Sequence, residues 1–299
     1  MKLAFRPIAT VAVLAFSAWY VSTHLEAFAL IADLDWRTTP ILVGISMLSI
    51  MGNGLVLAGV VRAFGVRLGL AESFGISAIG GVGNYAPVPQ AGPAARAVYL
   101  NRVHGLSVGA YAGTVVAVYV IALALQGVVG LIALGLRLGT LAPAPLELFG
   151  VFSICVAAGV LLSLPAGWLP EPLWLKPFRQ GFLLLRRQHL MSRVALLQLL
   201  QIGVAATSLW LALAGIGREV EFVTCLLVAN AVLCSAVFNV TPGNIGVAES
   251  AAWMSALLLG EDPDAIVVAF TVVRAVALVT LFTLGPLSTL LLGQRDSHD

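Results

Sequence analysis

Apolar runs long enough to cross a membrane recur along the whole chain, and they predict an all-α, polytopic membrane protein. A bilayer core about 30 Å thick needs roughly 20 apolar residues of helix. Full spans are predicted over residues 1–20, 41–61, 107–136, 146–164, 194–214 and 265–292. The start, with Lys2 and Arg6, also suits a signal peptide. We interpret it as the first span because every later segment also needs the membrane.

Two further segments are interrupted by proline and glycine and are predicted to be re-entrant hairpins. Residues 74–86 would form a helix only about 20 Å long, after which the chain turns and returns over residues 94–102. The second hairpin comprises residues 222–240 and 248–259 around N-V-T-P-G-N-I-G-V-A-E. Proline removes a backbone donor, and broken backbone at membrane depth is tolerated only against protein or a wet cavity. Because 222–240 is long enough to cross alone, two kinked spans are the alternative there.

The two interrupted segments are related by an internal offset of 155 residues. The pairs on this offset are Asn84 with Asn239, Pro87 with Pro242, Gly105 with Gly260, and Tyr119 with Arg274. This pattern predicts a duplication, with pseudo-repeats over about 41–136 and 194–292 of a single transmembrane domain. Gly/Pro-interrupted segments in corresponding positions of two halves point to a transporter's binding site.

The composition and the distribution of charge agree with this arrangement. Of the 299 residues, 60% are hydrophobic and only 10% are charged. With both termini in the cytoplasm, the inner side receives Lys2, Arg6, Arg62, Arg67, Arg96, Arg102, Lys176, Arg179, Arg186, Arg187, Arg193 and Arg295. The outer side receives only Arg37, Arg137 and Arg218, as the positive-inside rule requires. The hairpins then enter from opposite sides of the cytoplasmic (inner) membrane, which predicts inverted repeats and alternating access.

Two charged residues within apolar sequence are the sharpest candidates for a substrate site. Arg274 needs an anionic partner, and its planar fork suits a phosphate or carboxylate. Glu249 is either its structural partner or a group that exchanges with a lipid phosphate, and the two roles are compatible. The other candidates are Asn84, Pro87, Gly92, Arg96, Tyr119, Asn239, Pro242, Gly243, Asn244 and Gly246.

Several of these candidates also have a structural interpretation. Asn84 can satisfy broken backbone, Arg96 can be a charge at the hairpin base, and Tyr119 can pack. The helices after Pro93 and Gly246 present N-terminal amides that attract anions. No metal cluster, Gly-Lys phosphate loop or nucleophile beside a base is found, so we predict no cofactor, no metal, no nucleic-acid partner and no enzymatic activity.

Three motifs make the chain similar to the lysylphosphatidylglycerol synthase transmembrane-region family of flippase-like proteins. They are P-V-P-Q-A-G-P-A-A-R at 87–96, L-N-R-V-H-G-L-S at 100–107 and T-P-G-N-I-G-V-A-E at 241–249, followed by Arg274. The resemblance covers about residues 5–292. It implies a helical bundle with paired hairpins whose site includes Pro87, Gly92, Arg96, Pro242, Gly246, Glu249 and Arg274. The chain departs from the family pattern at Asn244 and Tyr119, and since it ends at Asp299 we expect no aminoacyl transfer.

The resemblance implies a flippase that moves an anionic or aminoacylated phospholipid, or a polyprenyl-phosphate lipid, between leaflets. Its partners would be membrane lipids and a lipid-modifying or cell-envelope enzyme. Three alternatives stay open: a small-solute or ion-coupled transporter, a lipid-modifying enzyme with Glu249 as general base, and a non-transporting accessory subunit. A flippase should open sideways to the bilayer, whereas a solute carrier should enclose its cavity.

Overall fold

The computed structural model describes residues 29, 31, 34–86, 90–137, 145–163, 190–236 and 241–293, and the regular structure there is helical. The helices are α1 (Thr38–Arg62), α2 (Leu70–Gly83), α3 (Ala91–His104), α4 (Val108–Arg137), α5 (Leu146–Ser163), α6 (Met191–Gly215), α7 (Phe222–Ser235), α8 (Val247–Leu258) and α9 (Pro263–Gly293), with a 3₁₀ turn at Pro242–Asn244. The predicted span 1–20 and the candidate residues Pro87 and Asn239 lie outside the described residues.

Four of these helices are long and apolar enough to cross a membrane: α1, α4, α6 and α9. The shorter α5 and α7 are apolar as well. The chain is therefore an all-α membrane protein. The predicted spans 41–61, 107–136, 194–214 and 265–292 correspond to the four long helices, and the predicted span 146–164 corresponds to α5.

Two predicted boundaries near the interruptions need correction. The helix predicted over 222–240 ends at Ser235, where the serine hydroxyl donates to the carbonyl of Val232 at 2.7 Å. With 14 residues, α7 is about 21 Å long, so it is shorter than a bilayer core. Gly92 and Pro93, predicted to lie in a turn, belong to the first turn of α3. The amides of a helix's first turn have no intrahelical acceptor, so proline is tolerated there.

The long helices α1 and α6 lie antiparallel against each other. Where α1 begins, the N–H of Asp35 donates to the carbonyl of Gly215 at the end of α6, at 2.9 Å. Near the middle of α1, Ser49 exchanges hydrogen bonds with Gln201, and Gly52 leaves room for the Gln201 amide. At the other end, Val60 of α1 packs near the start of α6.

Helices α2 and α3 form one helical hairpin, and α7 and α8 form another. The base of the first hairpin lies near the end of α1, where Gly54 contacts Ser73. The base of the second lies near the end of α6, where the rings of Trp210 and Phe222 are 6.4 Å apart. Because α1 and α6 are antiparallel, the two hairpins start at opposite ends of this helix pair.

Each hairpin packs against the long helix that follows the other hairpin. Leu281 of α9 lies against Gly81 of α2. In the same way, Asn230 of α7 donates to the carbonyl of Gln126 in α4 at 2.6 Å. Most contacts between helices therefore keep their pattern when α1–α4 are exchanged with α6–α9; the contact between α6 and α9 has no counterpart of similar extent between α1 and α4.

Candidate functional site

The tip of the second hairpin contacts the end of α2, the first arm of the first hairpin. The N–H of Gly243, in the 3₁₀ turn between α7 and α8, donates to the carbonyl of Asn84 at the end of α2, at 2.8 Å. The ring of Tyr85 lies directly over Gly243 and is 6.2 Å from the ring of Phe282 in α9. The two interrupted segments predicted from the sequence are thus in contact, through main-chain atoms of Asn84 and Gly243.

Arg274 of α9 forms an ion pair with Glu249 of α8 beside this junction. A second guanidinium nitrogen donates to the carbonyl of Gly243, and the guanidinium lies 5.6 Å from the centre of the Phe270 ring. Only 13% of the Arg274 side chain and 25% of the Glu249 side chain are exposed. In such surroundings a charge is stable only when it is paired, so each residue requires the other.

Glu249 also fixes the start of α8. Its carboxylate accepts a 2.6 Å hydrogen bond from the N–H of Gly246, one of the free amides at the helix N-terminus. A carboxylate there also interacts favourably with the helix dipole. Glu249 therefore connects the broken backbone to the guanidinium of Arg274.

The backbone of the second tip depends on left-handed conformations. Gly243, Asn244 and Gly246 have φ values of 60°, 57° and 83°. Pro242 opens the 3₁₀ turn, and the buried Asn244 donates from its amide to the hydroxyl of Ser235 at 3.0 Å. Glycine adopts positive φ without steric cost and asparagine at a small cost. Asn244 and Pro242 therefore shape the turn, and neither contacts the Arg274 side chain by a hydrogen bond.

The candidate residues of the first hairpin form a separate cluster. The Asn84 side chain and the Gly80 carbonyl occupy the space that a Cβ at position 92 would need. Arg96 lies across Gly80 and donates weakly to the carbonyl of Ser77, at 3.5 Å. The Asn84 side chain thus packs against the start of α3, while its carbonyl oxygen accepts the hydrogen bond from Gly243. Arg96 faces α2 within the hairpin.

Tyr119, at the position of α4 that corresponds to Arg274, is 47% exposed. It forms no hydrogen bond to Arg274 or Glu249. Of the twelve candidate residues, the structure therefore joins Arg274, Glu249, Gly243, Gly246 and Asn84 in one network. Asn244, Gly92 and Arg96 lie in the adjoining hairpins.

Several polar atoms in the hairpins are buried without a hydrogen-bond partner. In the described part of the chain these are Ser77 Oγ, Arg96 Nε, Gln126 Oε1, Asn230 Oδ1 and Asn244 Oδ1. Most buried polar groups in proteins are hydrogen-bonded, so five such atoms in one region are unusual. All five lie in a hairpin or against one, which gives this region hydrogen-bonding capacity that the fold itself does not use.

Two polar clusters at the hairpin bases were not identified from the sequence. Glu72 accepts hydrogen bonds from Tyr99 at 2.9 Å and His104 at 2.8 Å, which holds α3 against the start of α2. Glu72 lies outside the four spanning helices. Burial alone would raise its pKa, but hydrogen bonds from His104, Tyr99 and Gly69 outweigh burial and place the pKa below its ordinary value.

The second of these clusters holds the base of the α7–α8 hairpin to the end of α4. Arg137 lies 3.5 Å from both Glu221 and Glu261 and donates to the hydroxyl of Thr224. The partners are far apart in sequence, so no local motif signals either cluster.

The fold and the site define a class: an all-α membrane protein in which two interrupted hairpins meet beside a partly buried arginine–glutamate pair. Within that class, the family model described as "Lysylphosphatidylglycerol synthase TM region" matches residues 7–285. The chain belongs to this family, as its motifs predicted. A search of curated proteins found no match.

Proposed function

We propose that this protein moves an anionic or aminoacylated phospholipid, or a polyprenyl-phosphate lipid, between the two leaflets of the cytoplasmic membrane. The observation that carries the proposal is the partly buried Arg274–Glu249 pair beside the junction of the second hairpin's tip with the end of α2. Ionisable residues within membrane helices are costly and mark substrate or ion pathways by default.

The packing of the helices supports alternating access. In this proposal the hairpins are re-entrant, since α2 and α7 have 14 residues each and start at opposite ends of the α1–α6 pair. The partial exchange symmetry of the helix contacts and the antiparallel α1–α6 pair support inverted repeats. Transporters built in this way place their substrate near the midplane, between the repeats.

The ion pair supplies the chemistry for an anionic headgroup. Arg274 donates to Glu249 and to the Gly243 carbonyl, so a substrate phosphate would compete with Glu249 for the guanidinium. Displacement of Glu249 frees a planar fork that binds phosphate with two parallel hydrogen bonds. The pair then acts as a switch, closed on itself without substrate and open when an anion is bound.

A transport assay in proteoliposomes tests this proposal. Fluorescent anionic, zwitterionic and polyprenyl-phosphate lipids are followed between leaflets for the wild type, Glu249→Gln and Arg274→Ala. Arg218→Gln is the matched control, because Arg218 belongs to an exposed pair with Asp262 at 3.6 Å. We expect one anionic class to be transported by the wild type and the control, with at least a tenfold loss in both pair variants.

Failure of correctly folded protein to move any lipid would overturn the flippase proposal. Uptake of a small anionic solute in the same vesicles would then favour a solute carrier. Inactivity toward both would favour an accessory subunit.

The predicted orientation is tested separately by thiol labelling. The three native cysteines, Cys155, Cys225 and Cys234, are buried, so a cysteine introduced at an exposed position gives the dominant signal. Arg102→Cys and Asp262→Cys lie at the bases of the two hairpins. Labelling from opposite sides of the membrane supports inverted hairpins, and labelling from one side excludes them.

A further inference from the structure

A groove of about 630 Å³ lies between the end of α1 and the start of α6, and no residue of the hairpin tips lines it. Its wall is apolar and includes Leu55, Val56 and Gly59 of α1 and Val194 and Leu197 of α6. A groove of this size falls within the range of small-molecule sites. It is a feature of the helix surface that the proposed transport site does not use.

Three arginines surround the groove. Arg62 is the last residue of α1, Arg67 follows in the connection to α2, and Arg193 lies in the first turn of α6. All three are exposed, and no aspartate or glutamate lines the groove in the described part of the chain. Guanidinium groups bind phosphates well, and basic pockets between membrane helices bind anionic lipid headgroups.

The apolar wall of the groove favours a phospholipid over a free phosphate as the bound anion. Since α1 and α6 are spanning helices, their ends lie at headgroup level and their sides face acyl chains. A free phosphate would use the arginines and leave the wall uncovered. A phospholipid uses both, with its phosphate at the helix ends and an acyl chain along α1 and α6.

We propose that the α1–α6 groove binds an anionic phospholipid of the adjacent leaflet, with the phosphate on Arg62, Arg67 and Arg193 and an acyl chain against Gly59. By the charge distribution this is the cytoplasmic leaflet. The site is distinct from the Arg274–Glu249 pair, and it does not depend on whether the protein transports lipid.

Gly59 provides a specific way to fill the groove. Gly59 lines the groove, and a Cβ built there meets nothing within 4 Å, so Gly59→Leu adds its side chain at an open position of the groove wall. Gly44 lies on the same helix, is exposed, and has equally open surroundings, but it does not line the groove. Gly44→Leu is therefore a matched control for helix propensity and added bulk.

The experiment measures lipid retention by native mass spectrometry of the full chain in detergent, after equilibration with phosphatidylglycerol or phosphatidylcholine. We expect the wild type to retain phosphatidylglycerol at least tenfold better than phosphatidylcholine. Gly59→Leu and the double variant Arg62→Gln/Arg193→Gln should each lose at least tenfold in retention. Gly44→Leu and Arg218→Gln should behave as the wild type.

Three results would overturn the proposal. The first is unchanged retention in both groove variants, and the second is equal retention of the two lipids by the wild type. The third is competition by glycerol phosphate as effective as that by the intact lipid, which would indicate a site for a free phosphate. Thermal unfolding of each variant confirms that a loss of lipid does not reflect a loss of fold.

Discussion

The N–H of Gly243 lies 2.8 Å from the carbonyl oxygen of Asn84, so the second hairpin tip is hydrogen-bonded to the end of the first hairpin's first arm. The same Gly243 accepts a hydrogen bond from Arg274 through its carbonyl. One glycine therefore connects both hairpins and the last long helix. The three elements thus share one contact point, the main chain of Gly243.

Loss of one member of the Arg274–Glu249 pair should destabilise the protein strongly. Glu249→Gln or Arg274→Gln leaves the other charge partly buried and without its ion-pair partner, at a cost of about 1–3 kcal/mol in unfolding free energy. The double variant should lose less than the sum of the two single variants, because it leaves no uncompensated charge. Denaturant unfolding in detergent gives the four free energies of this cycle. Additive losses would show that the two side chains do not interact.

Gly243→Ala should be more harmful than the same change at another positive-φ glycine. Gly243 has φ 60° and has Tyr85 over its Cα, whereas Gly260 has φ 73° and open surroundings. Gly260→Ala therefore costs only the strain of the left-handed backbone, about 1 kcal/mol. Gly243→Ala adds a clash with the Tyr85 ring. Thermal unfolding of both variants measures the difference, and Tyr85→Ala should restore part of the loss in Gly243→Ala. Equal losses at the two positions would contradict the contact with Tyr85.

Arg137→Gln should loosen the base of the second hairpin without unfolding the bundle. The Arg137 side chain is largely buried and lies 3.5 Å from Glu221 and from Glu261. Amide hydrogen exchange should become at least tenfold faster over residues 222–226. Arg218→Gln is the matched control, since its partner Asp262 and Arg218 itself are half exposed and such pairs contribute less than about 1 kcal/mol. If Arg218→Gln accelerates exchange as much as Arg137→Gln does, the cause is the loss of one positive charge and not the loss of the Arg137 contacts.

The Glu72 cluster predicts how stability depends on pH at the base of the first hairpin. The folded-state pKa of Glu72 is lowered, so its contribution is complete above the unfolded-state pKa of a glutamate. The contribution is lost as pH falls from there through the lowered pKa, because the carboxyl is then protonated. Glu72→Gln should reduce unfolding free energy near neutral pH and flatten its acid dependence. If the unfolding free energy of Glu72→Gln falls with acid just as that of the wild type does, other carboxylates are responsible for the acid dependence.

Much of the fold and part of the site follow from the sequence. The four long helices are marked by apolar length alone, which is the strongest signal in a membrane protein. The pairing of Arg274 with Glu249 follows because a guanidinium in an apolar helix needs an anion and Glu249 is the acidic residue in the interrupted segment. The family assignment rests on motifs that the chain displays directly.

Other features depend on the tertiary fold and have no local signal. The end of α7 is set by the Ser235 hydroxyl and by Asn244, which comes from beyond the interruption. The partners of Arg137 and Glu72 are distant in sequence. Asn84 takes part through its carbonyl oxygen, which every residue type has, so its residue type does not reveal this bond.

The two hairpins differ in the kind of contact they make with the neighbouring long helix. The first contacts α9 through apolar packing, in which Leu281 and Leu292 of α9 lie against Gly81 and Gly75, and Val82 lies against Gly285 of α9. The second is held to α4 by polar contacts of Arg137 and by the Asn230–Gln126 hydrogen bond. If the protein transports lipid as proposed, we expect the first hairpin to move further than the second, because the polar contacts of the second must break before it moves. The two halves would then share one architecture and differ in mobility.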